Sequence, residues 1–549
     1  MCLYYIEGYK KLYRNKINYE TKANIMQSNI TTLFQKGIYL ANQKAYDAAA
    51  KCFELILKHD PDRVDAIVNS GLMHYYAGHY ELAERYILSS ISKNPYSADS
   101  YYHLGLIYKA SNNIHCAIAS YQLALNCNPN FDLAWYNFGE ILFSLEQYKL
   151  AINCFEKVIA ITPDFEDAYL NLGESHARQE HFHEAIQFFK QLLTINSNHT
   201  EALYNLGVAY NGLRQYDNAI ATYDKVISID PDHVKSHYNK SFILLADGNF
   251  VNGFSEYEWR LKKKSTYKSQ SQKPMWQGNQ IQSKTMLVYA EQGFGDCIQF
   301  IRFLPLIKNK VKKIIVECQS ELVRLFSNLD TVDQIIPRGA PLPDHDFQAS
   351  LLSMGYFLNI TLDNLPAQTP YLMNDYPLPK EIANHLYDNQ KIKIGLVWGG
   401  TGSSLKKTDM GRSLPLQAFQ SLLDMKDCQW FSFQKGARSI ELNNSPGEKL
   451  IDLGQYCHDF ADTASAACKM DLIITVDTAM AHLAGALGLN VWTLLSFDSD
   501  WRWLKNLNYS PWYPGMRLFR QDSPENWKSV LAQVKNELAN YLSQHKYGA

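Results

Sequence analysis

Three short segments of this 549-residue chain carry residues that could take part in a group-transfer reaction. The first is Gly293-Phe294-Gly295-Asp296, in which two glycines permit a tight turn before an aspartate. An aspartate at the edge of a cleft can take the proton from an attacking hydroxyl group. It can equally cap the following helix by accepting backbone N–H bonds. The turn alone predicts that Asp296 is either a general base or a helix cap.

The second segment is the glycine-rich loop 399–404, which follows an apolar run and precedes Arg412. The backbone amides of Gly400 and Thr401, together with the guanidinium group, suit a nucleoside diphosphate, whose charge must be neutralised when the bond to the sugar breaks. Glycine and serine pairs also mark ordinary flexible loops. This segment therefore predicts a phosphate site only in combination with the other two.

The third segment, 474–489, is an apolar run that leads into a helix. The helix opens with Asp477, Thr478 and Ala479 and carries His482. A helix N-terminus presents unpaired N–H groups and the positive end of the helix dipole to a phosphate. Asp and Thr are also good cap residues in any protein, so plain capping is the alternative.

Short apolar runs predict the strands that must position these segments. Alternation of such runs with helical stretches predicts parallel sheets, whose ligands lie at the carboxyl ends of the strands. We expect two Rossmann-like lobes, over residues 284–374 and 375–549, preceded by a polar linker over 262–283. The predicted strands are 285–290, 313–318, 334–337, 392–398, 429–433, 472–475 and 491–495.

A different pattern fills the first half of the chain, where small residues recur every 34 residues. Alanines and bulky apolar residues keep the same step, as expected for helical hairpins in which small residues let two backbones approach and a bulky one fills the space beside them. The positions are Gly37, Gly71, Gly105, Gly139, Gly173 and Gly207; Ala49, Ala83, Ala117, Ala151, Ala185 and Ala219; and Phe53, Ile87, Tyr121, Phe155, Phe189 and Tyr223.

These hairpins resemble the tetratricopeptide repeat family over residues 30–261. Prolines such as Pro61 and Pro95 follow the second helix of most units and end it, because proline cannot donate the next helical hydrogen bond. A degenerate seventh unit, with Ser241 at the glycine place, is predicted to cap the array, and residues 1–29 to form a leader helix. The predicted fold is an α-solenoid of six repeats and a cap, followed by an α/β domain. Such arrays have a concave groove that binds peptides or proteins.

A further register favours a peptide in that groove. Two residues before each glycine place stand mostly side-chain amides, which can pair with an extended peptide backbone whatever its sequence. This arrangement resembles the asparagine ladder of the protein O-linked N-acetylglucosamine transferases. Local helix packing is the alternative reason for asparagine at this place. The residues are Gln35, Asn69, His103, Asn137, Asn171, Asn205 and Asn239.

The C-terminal part resembles glycosyltransferase family 9, the lipopolysaccharide heptosyltransferases, over residues 284–542. The resemblance rests on AEQGFGDCIQFIRFLPL, GLVWGGTGSSLKKTDMGRSLPLQAF, FSFQKG, DFADTA, DTAMAHLAGALG and DSDWRWLKNLNYSPWYPGMRLFRQ. It implies a GT-B fold of two Rossmann-like lobes with a nucleotide sugar as substrate.

The same resemblance assigns roles to single residues. Asp296 takes the place of the catalytic base, and Arg412 that of the basic phosphate contact. The donor contacts that it implies are Gly293, Gly295, Gly400, Thr401, Arg412, Gln434, Asp477, Thr478, Ala479 and His482, with Lys435 near the nucleotide.

Two departures from the heptosyltransferase pattern leave the sugar open. An arginine, Arg412, stands where those enzymes carry a lysine for the donor phosphate, and the helix opens Asp-Thr-Ala rather than Asp-Thr-Gly. No Asp-x-Asp motif follows a strand to hold a divalent ion, so we expect metal-independent chemistry without a cofactor.

Composition excludes several classes of function. The 53 Lys and Arg against 55 Asp and Glu give a net charge of -2, which offers no electrostatic case for nucleic acid or an anionic membrane. The most apolar stretch is interrupted by Asp477 and His482, so no membrane span is expected. Ten cysteines without close pairs predict reduced thiols and a cytoplasmic protein.

Together these features predict an inverting, metal-independent glycosyltransferase whose repeat groove selects the acceptor, with a peptide slightly favoured over a glycan. Two other readings stay open. One is a repeat scaffold whose transferase-like domain has lost catalysis, and the other is an enzyme whose repeat array is purely structural.

Overall fold

The computed structural model describes residue 27 and residues 29–386, 391–400, 411–444 and 450–546. The chain divides into two compact units, with the division between Asp230 and Pro231. The predicted leader helix over residues 1–29 lies, except for positions 27 and 29, outside the described residues.

The first unit is a series of helical hairpins. Its helices keep the 34-residue step because each begins after a turn or proline at the same place in the repeat. They are α1 (29–42), α2 (Tyr46–His59), α3 (Val64–Tyr76), α4 (Tyr80–Lys93), α5 (Ala98–Ala110), α6 (Ile114–Cys127), α7 (Asp132–Ser144), α8 (Tyr148–Ile161), α9 (Glu166–Arg178), α10 (Phe182–Ile195), α11 (Thr200–Gly212) and α12 (Tyr216–Ile229).

The glycine and the bulky residue of each unit are in direct contact. A Cβ atom on Gly173 would lie 2.3 Å from the ring of Phe189, and one on Gly105 would lie 2.5 Å from the ring of Tyr121. Both rings are fully buried. The glycines are therefore needed because any side chain there would displace the ring that fills the hairpin.

The second unit begins with the last hairpin, α13 (Val234–Ala246) and α14 (Phe250–Tyr257). The sequence placed this hairpin in the repeat domain as its cap, with a boundary after residue 261, whereas the division lies before Pro231. The reason is aromatic packing: Phe250 lies 5.5 Å from Trp512, and Phe254 lies 5.9 Å from Trp501, between ring centroids. The cap thus shares a hydrophobic core with the α/β region.

Two parallel sheets follow in this unit, which confirms the predicted parallel α/β region. The four-stranded sheet has the order β3-β2-β1-β4 and the six-stranded sheet the order β10-β9-β8-β5-β6-β7. The strands are β1 (Ile281–Tyr289), β2 (Val311–Cys318), β3 (Gln334–Pro337), β4 (Phe347–Ser350), β5 (Ile392–Val397), β6 (Cys428–Ser432), β7 (Leu450–Asp452), β8 (Leu472–Val476), β9 (Val491–Leu495) and β10 (Met516–Arg520).

Helices join the strands and cover the sheets. The turn after β1 leads into α15, and β8 leads into α21, so both predicted helix openings follow a strand. The helices are α15 (Phe294–Phe300), α16 (Ser320–Phe326), α17 (Met354–Phe357), α18 (Lys380–Ala383), α19 (Gln420–Leu423), α20 (Phe460–Ala467), α21 (Ala479–Ala486) and α22 (Trp527–Lys546).

The segment predicted as a linker, 262–283, is packed on the first sheet instead. Trp276 is fully buried, and its backbone N–H donates to Gln348 of β4 at 2.8 Å. Ser271 is also buried, and its Oγ lies 2.7 Å from Nε2 of His345. The polar composition was misleading because buried positions such as Ser271 and Trp276 hold the segment against the sheet, while other polar side chains in it stay exposed.

No helix among the described residues is long and apolar enough to cross a membrane.

Candidate functional site

One cavity of about 820 Å³ in the second unit gathers the predicted segments. Its walls are built from residues that directly follow β1, β5, β6, β8 and β9. The carboxyl ends of parallel strands are where α/β proteins bind ligands. Of the predicted donor and catalytic residues, the cavity wall includes Gly293, Gly295, Asp296, Gly400, Arg412, Gln434, Asp477, Thr478, Ala479 and His482.

Asp296 has two partners at the entrance to α15. Its Oδ2 accepts the backbone N–H of Gly293 at 3.0 Å, and its Oδ1 forms an ion pair with Nη2 of Arg502. Its side chain keeps 21% of its exposure. Burial raises the pKa of Asp296, while the Arg502 cation opposes this. The residue is therefore a helix cap and at the same time a carboxylate that faces the cavity.

Arg502 is a site residue that the sequence reasoning missed. It follows β9 and is nearly buried, with Nη1 2.7 Å from Oδ1 of Asp500. Its guanidinium lies 4.4 Å from the centre of the Trp501 ring. Both charged residues belong to the DSDWRWLKN run that was quoted for the resemblance, but nothing in that run indicates that it reaches Asp296.

Asp477 and Thr478 lie where β8 ends and α21 begins. Thr478 caps the helix, since its hydroxyl accepts the backbone N–H of Met480 at 3.3 Å, so the capping alternative applies to this residue. Asp477 faces the cavity, where burial and the neighbouring Asp500 carboxylate raise its pKa to about 6. A carboxyl group with such a pKa can exchange protons near neutral pH.

His482 lies behind the helix opening and is buried. Its Nδ1 is 2.9 Å from the hydroxyl of Tyr513, and its ring stacks on Trp503 at 5.1 Å. Burial, together with the nearby arginine cations, lowers the pKa of His482 well below its usual value. The ring is therefore neutral at neutral pH.

Gly295 is the place where α15 approaches α21. A Cβ atom at this position would lie 2.7 Å from Cδ2 of His482 and 3.4 Å from Cα of Ala479. Any side chain larger than hydrogen would therefore push the two helix openings apart. The glycine keeps Asp296 and Asp477 in one cavity.

The amides of the glycine-rich loop are engaged within the protein. Gln434 is buried, and its Oε1 accepts the backbone N–H groups of Trp398 and Gly399 at 3.1 and 3.0 Å. The N–H of Gly400 donates to Oγ of Ser413 at 3.2 Å. The N–H groups of Gly399 and Gly400 therefore already have acceptors, whereas Thr401 lies outside the described residues, so a phosphate site at this loop stays a prediction.

The side-chain amide of Gln434 has no hydrogen-bonding capacity left. Its Nε2 donates to the carbonyl oxygens of Gly399 and Lys435, both at 2.9 Å. The predicted direct donor contact is thus corrected to a supporting one, since Gln434 holds the strand end and the loop in place. Nζ of Lys435 donates to the carbonyl of Cys457.

Arg412 lies on the wall of the cavity and is exposed. The pKa values of Asp296 and Asp477 are raised overall, and the positive charge of Arg412 opposes this rise at both carboxyl groups. Thr401 lies outside the described residues.

Glu291, the other carboxyl group before α15, is fully buried and serves the fold. Its Oε1 accepts from Nε and Nη2 of Arg260 at 3.1 and 2.8 Å. Arg260 also donates to Ser350 and Ser353 at the end of β4. This network joins the last hairpin to the first sheet and keeps Glu291 out of the cavity wall.

The last hairpin contributes an aromatic wall to the cavity, formed by Tyr238, Phe242 and Tyr257. The Tyr238 and Phe242 rings meet edge to face at 4.7 Å, and the Tyr238 and Tyr257 rings stack at 5.8 Å. Sequence reasoning did not single out these residues as part of a site, because their spacing is that of an ordinary helical core.

The predicted amide ladder has partners within the repeats. Asn69 donates to the carbonyl of Asp65 at 2.7 Å, and Asn137 to that of Leu133 at 2.9 Å, each four residues earlier in its own helix. Nδ2 of Asn205 donates to Glu174 of the preceding unit at 2.7 Å.

The five asparagines of the ladder are nevertheless half-buried rather than fully enclosed: Asn69, Asn137, Asn171, Asn205 and Asn239. Nδ2 of Asn171 lies 3.3 Å from the hydroxyl of Tyr136. Asn137 uses both of its N–H groups, for the carbonyl of Leu133 and for the hydroxyl of Tyr102 at 3.4 Å, and its Oδ1 accepts from Nζ of Lys109 at 3.3 Å. An amide oxygen can accept two hydrogen bonds, so Oδ1 can still accept one from a peptide N–H. The contacts fit local packing and leave the groove prediction open.

Among the described residues, no group of three or more His, Cys, Asp or Glu side chains is placed to hold a metal ion. Metal-independent chemistry stays a prediction.

Residues 98–131 match the family model of the tetratricopeptide repeat, and residues 146–226 match that of subunit 3 of the anaphase-promoting complex, or cyclosome. Protein FlbA of Caulobacter vibrioides is 24% identical in an alignment 335 residues long, and the alignment covers 55% of this chain and 55% of FlbA. The chain thus spans about half the length of the curated relative it matches.

Two solved structures are also similar. YrrB, a tetratricopeptide repeat protein described as having an unusual peptide-binding site, is 23% identical over 35% of this chain and 98% of its own, with a TM-score of 0.32. MamA of Desulfovibrio magneticus RS-1 is 21% identical over 31% of this chain and 96% of its own, with a TM-score of 0.30. The family-model match confirms that the chain contains tetratricopeptide repeats.

Proposed function

We propose that the second unit is a nucleotide-sugar glycosyltransferase of the GT-B type, and that the repeats select its acceptor. The observation that carries this proposal is the single cavity at the carboxyl ends of strands from both sheets, in which Asp296, Arg412 and Asp477 meet. These are residues to which the family 9 resemblance gives the catalytic and donor-binding places. The geometry supports that combination because a transferase must hold a donor and a base in one cavity.

The proposed step is an inverting displacement. The acceptor hydroxyl gives its proton to Asp296 as its oxygen bonds to the anomeric carbon, and the bond between that carbon and the phosphate oxygen breaks. The nucleoside diphosphate leaves with the electron pair of the broken bond. Arg412 and the opening of α21 stabilise the negative charge that develops on it.

Arg502 has a supporting role in this step. As an ion-pair partner it favours the ionised form of Asp296, which a base needs, and it fixes the direction of the carboxylate. We propose that the reaction takes place in the cytoplasm, needs no metal ion or cofactor, and uses a peptide or protein hydroxyl as acceptor.

The second candidate function is a repeat scaffold with an inactive transferase-like domain. One observation favours it, because both Asp296 oxygens already have partners and so resemble those of a structural cap. The two functions differ in whether a nucleotide sugar is consumed.

A thermal-shift panel of UDP-, GDP-, ADP- and CMP-sugars tests the donor half of the proposal on the full chain in EDTA. A ligand that binds the native state at a hundredfold excess over its Kd adds about 2.7 kcal/mol of stability, which a melting curve detects. Release of the nucleotide on incubation with a peptide or glycan acceptor separates the enzyme from the scaffold. If none of the four classes shifts the melting temperature, the proposed function is wrong.

A further inference from the structure

The aromatic wall of Tyr238, Phe242 and Tyr257 has no role in the donor chemistry, yet it forms one side of the cavity. We propose that this wall is the acceptor subsite, and that it binds an apolar side chain next to the Ser or Thr hydroxyl of a peptide. The inference rests on the proposed glycosyl transfer, because it concerns the second substrate of the same site.

The wall lies on different elements from the predicted donor contacts. Gly400, Arg412 and Thr478 lie in segments that follow strands of the six-stranded sheet, which the family resemblance gives to the donor. The aromatic residues instead lie on α13 and α14. This hairpin is joined to the four-stranded sheet through the Arg260 and Glu291 ion pair, and it also packs on Trp501 and Trp512, which follow β9. An acceptor must reach Asp296 from the side that the donor leaves open.

The cavity has room for two substrates. Its volume of about 820 Å³ lies near the upper end of the roughly 300 to 1,000 Å³ that is usual for ligand pockets. Tyr238 and Phe242 are only half-buried, whereas Tyr257 is buried. Nζ of Lys263 lies 3.9 Å from the centre of the Tyr238 ring, and Tyr257 stacks on that ring, so Phe242 and the part of Tyr238 that lines the cavity offer the ligand surface that we infer. Asp296 lines the same cavity.

The chemistry of the wall suits an apolar peptide side chain. Aromatic rings gain free energy mainly from apolar area removed from water. The occupant that we infer is therefore a Leu-, Ile- or Phe-flanked Ser or Thr. A sugar that stacks its C–H face on the rings is the other occupant, and the test below separates the two.

The repeat register points to the same occupant. Asn239 follows Tyr238 on α13 and continues the amide register of the repeats, whose side chains can pair with a peptide backbone. Repeats of the tetratricopeptide type commonly bind peptides or proteins, so a peptide is the occupant that we infer.

The test uses the full chain, the nucleotide sugar that gives the largest shift in the melting panel, and synthetic peptides with a central Thr or Ser flanked by Leu, Phe, Gly, Asp or Lys. We expect transfer to Leu- or Phe-flanked peptides at least tenfold more efficient than to Asp- or Lys-flanked ones. Tyr238→Ala and Phe242→Ala should each raise the acceptor KM about tenfold and remove this preference, with the donor Kd unchanged.

Tyr238→Phe keeps the ring and should behave as the parent chain, which guards against an effect of lost folding. Tyr509→Ala removes a ring that is 54% exposed outside the cavity and is the matched control. Unchanged KM and preference in folded Ala variants would overturn the acceptor subsite while the transferase stands. Transfer to free oligosaccharides and not to peptides would overturn the peptide occupant, and a donor panel without any shift would remove both proposals.

Discussion

Arg502 and Asp296 form an ion pair across the cavity, between Nη2 of the arginine and Oδ1 of the aspartate. One residue follows β9 of the six-stranded sheet and the other follows β1 of the four-stranded sheet. The pair therefore joins the two sheets at the point where the base is proposed to act. It makes Asp296 important for the local structure as well as for the proposed proton transfer.

Replacing Asp296 by Asn is expected to lower transfer by about a hundredfold or more, the usual contribution of a positioned general base. The Asn side chain can still accept the N–H of Gly293, but it cannot take a proton at neutral pH. Single-turnover transfer at saturating donor, with donor affinity measured separately, is the readout. Near-normal transfer would remove Asp296 from the mechanism.

The control for this variant is Asp500→Asn, which also removes a carboxylate from Arg502. Loss of one partner from a buried ion pair costs about 3 to 5 kcal/mol when the other charge is left alone. Arg502 keeps a second carboxylate in either variant, so both should lose less stability than this. We expect Asp500→Asn to match the melting loss of Asp296→Asn but to keep most of the transfer rate.

Arg412→Ala should weaken binding of the nucleoside diphosphate in EDTA. A hydrogen bond to a charged group contributes about 1.5 to 3 kcal/mol, which corresponds to a loss of affinity of about tenfold or more. Calorimetric titration measures it, with Arg517→Ala as the control, since Arg517 pairs with Glu537 and is absent from the cavity wall. If Arg412→Ala binds the nucleoside diphosphate as tightly as the parent chain does, the phosphate site lies elsewhere. If the parent chain loses its affinity in EDTA, the metal-free mechanism is contradicted.

The repeat helices and most strands could be predicted from sequence because their signals are local and periodic. The predicted strand over 491–495 is β9 as observed, since five consecutive apolar or β-branched residues fill it. The strands β4, β7 and β10 were missed because β4 (FQAS) and β7 (LID) have few apolar residues and β10 (MRLFR) contains two arginines. The left-handed turn inside each repeat was missed for another reason: residues such as Lys44 and Asn112 adopt it without being glycine.

The site was predictable only in part, for a physical reason. Glycine turns and helix openings mark Asp296 and Asp477 locally, so their types and spacing identify them. The partners of a side chain depend on how distant strand ends meet, so neither the Arg502 ion pair nor the occupied amide of Gly400 has a sequence signal. The same holds for Tyr238, whose helical spacing is that of a core residue.

Replacing Asn137, Asn171 and Asn205 together with Ala should reduce use of a peptide acceptor and leave donor affinity unchanged. The reason is that an amide oxygen can accept two hydrogen bonds, and Oδ1 of Asn137 accepts one, from Lys109, so a peptide N–H can still be bound. Acceptor KM and donor Kd are measured side by side, with a melting curve to show that the variant folds. Equal acceptor kinetics in a folded triple variant would leave the ladder with a packing role alone.

The last prediction concerns the pH dependence of stability at Asp477. Its pKa is raised from 3.8 to about 6 in the folded chain by burial and by the Asp500 carboxylate. The folded state therefore holds this proton more tightly than the unfolded state does. The contribution of Asp477 to the free energy of unfolding is fully present below about pH 4, and it is lost as the pH rises through about 6.

Asp477→Asn removes that loss, because the amide stays neutral at every pH. The variant should melt at a higher temperature than the parent chain at pH 7.5, and the difference should shrink towards zero as the pH falls to 4. Asp346→Asn is the control of opposite sign, because bonds from the N–H of Thr285 and from Lys284 lower the pKa of Asp346. It should destabilise the chain by a similar amount throughout the range from pH 4 to 8, because its lowered pKa keeps Asp346 ionised there. Melting curves of the three proteins between pH 4 and 8 make the measurement, and a pH-independent difference for Asp477→Asn would show that its carboxyl group is not held protonated by the fold.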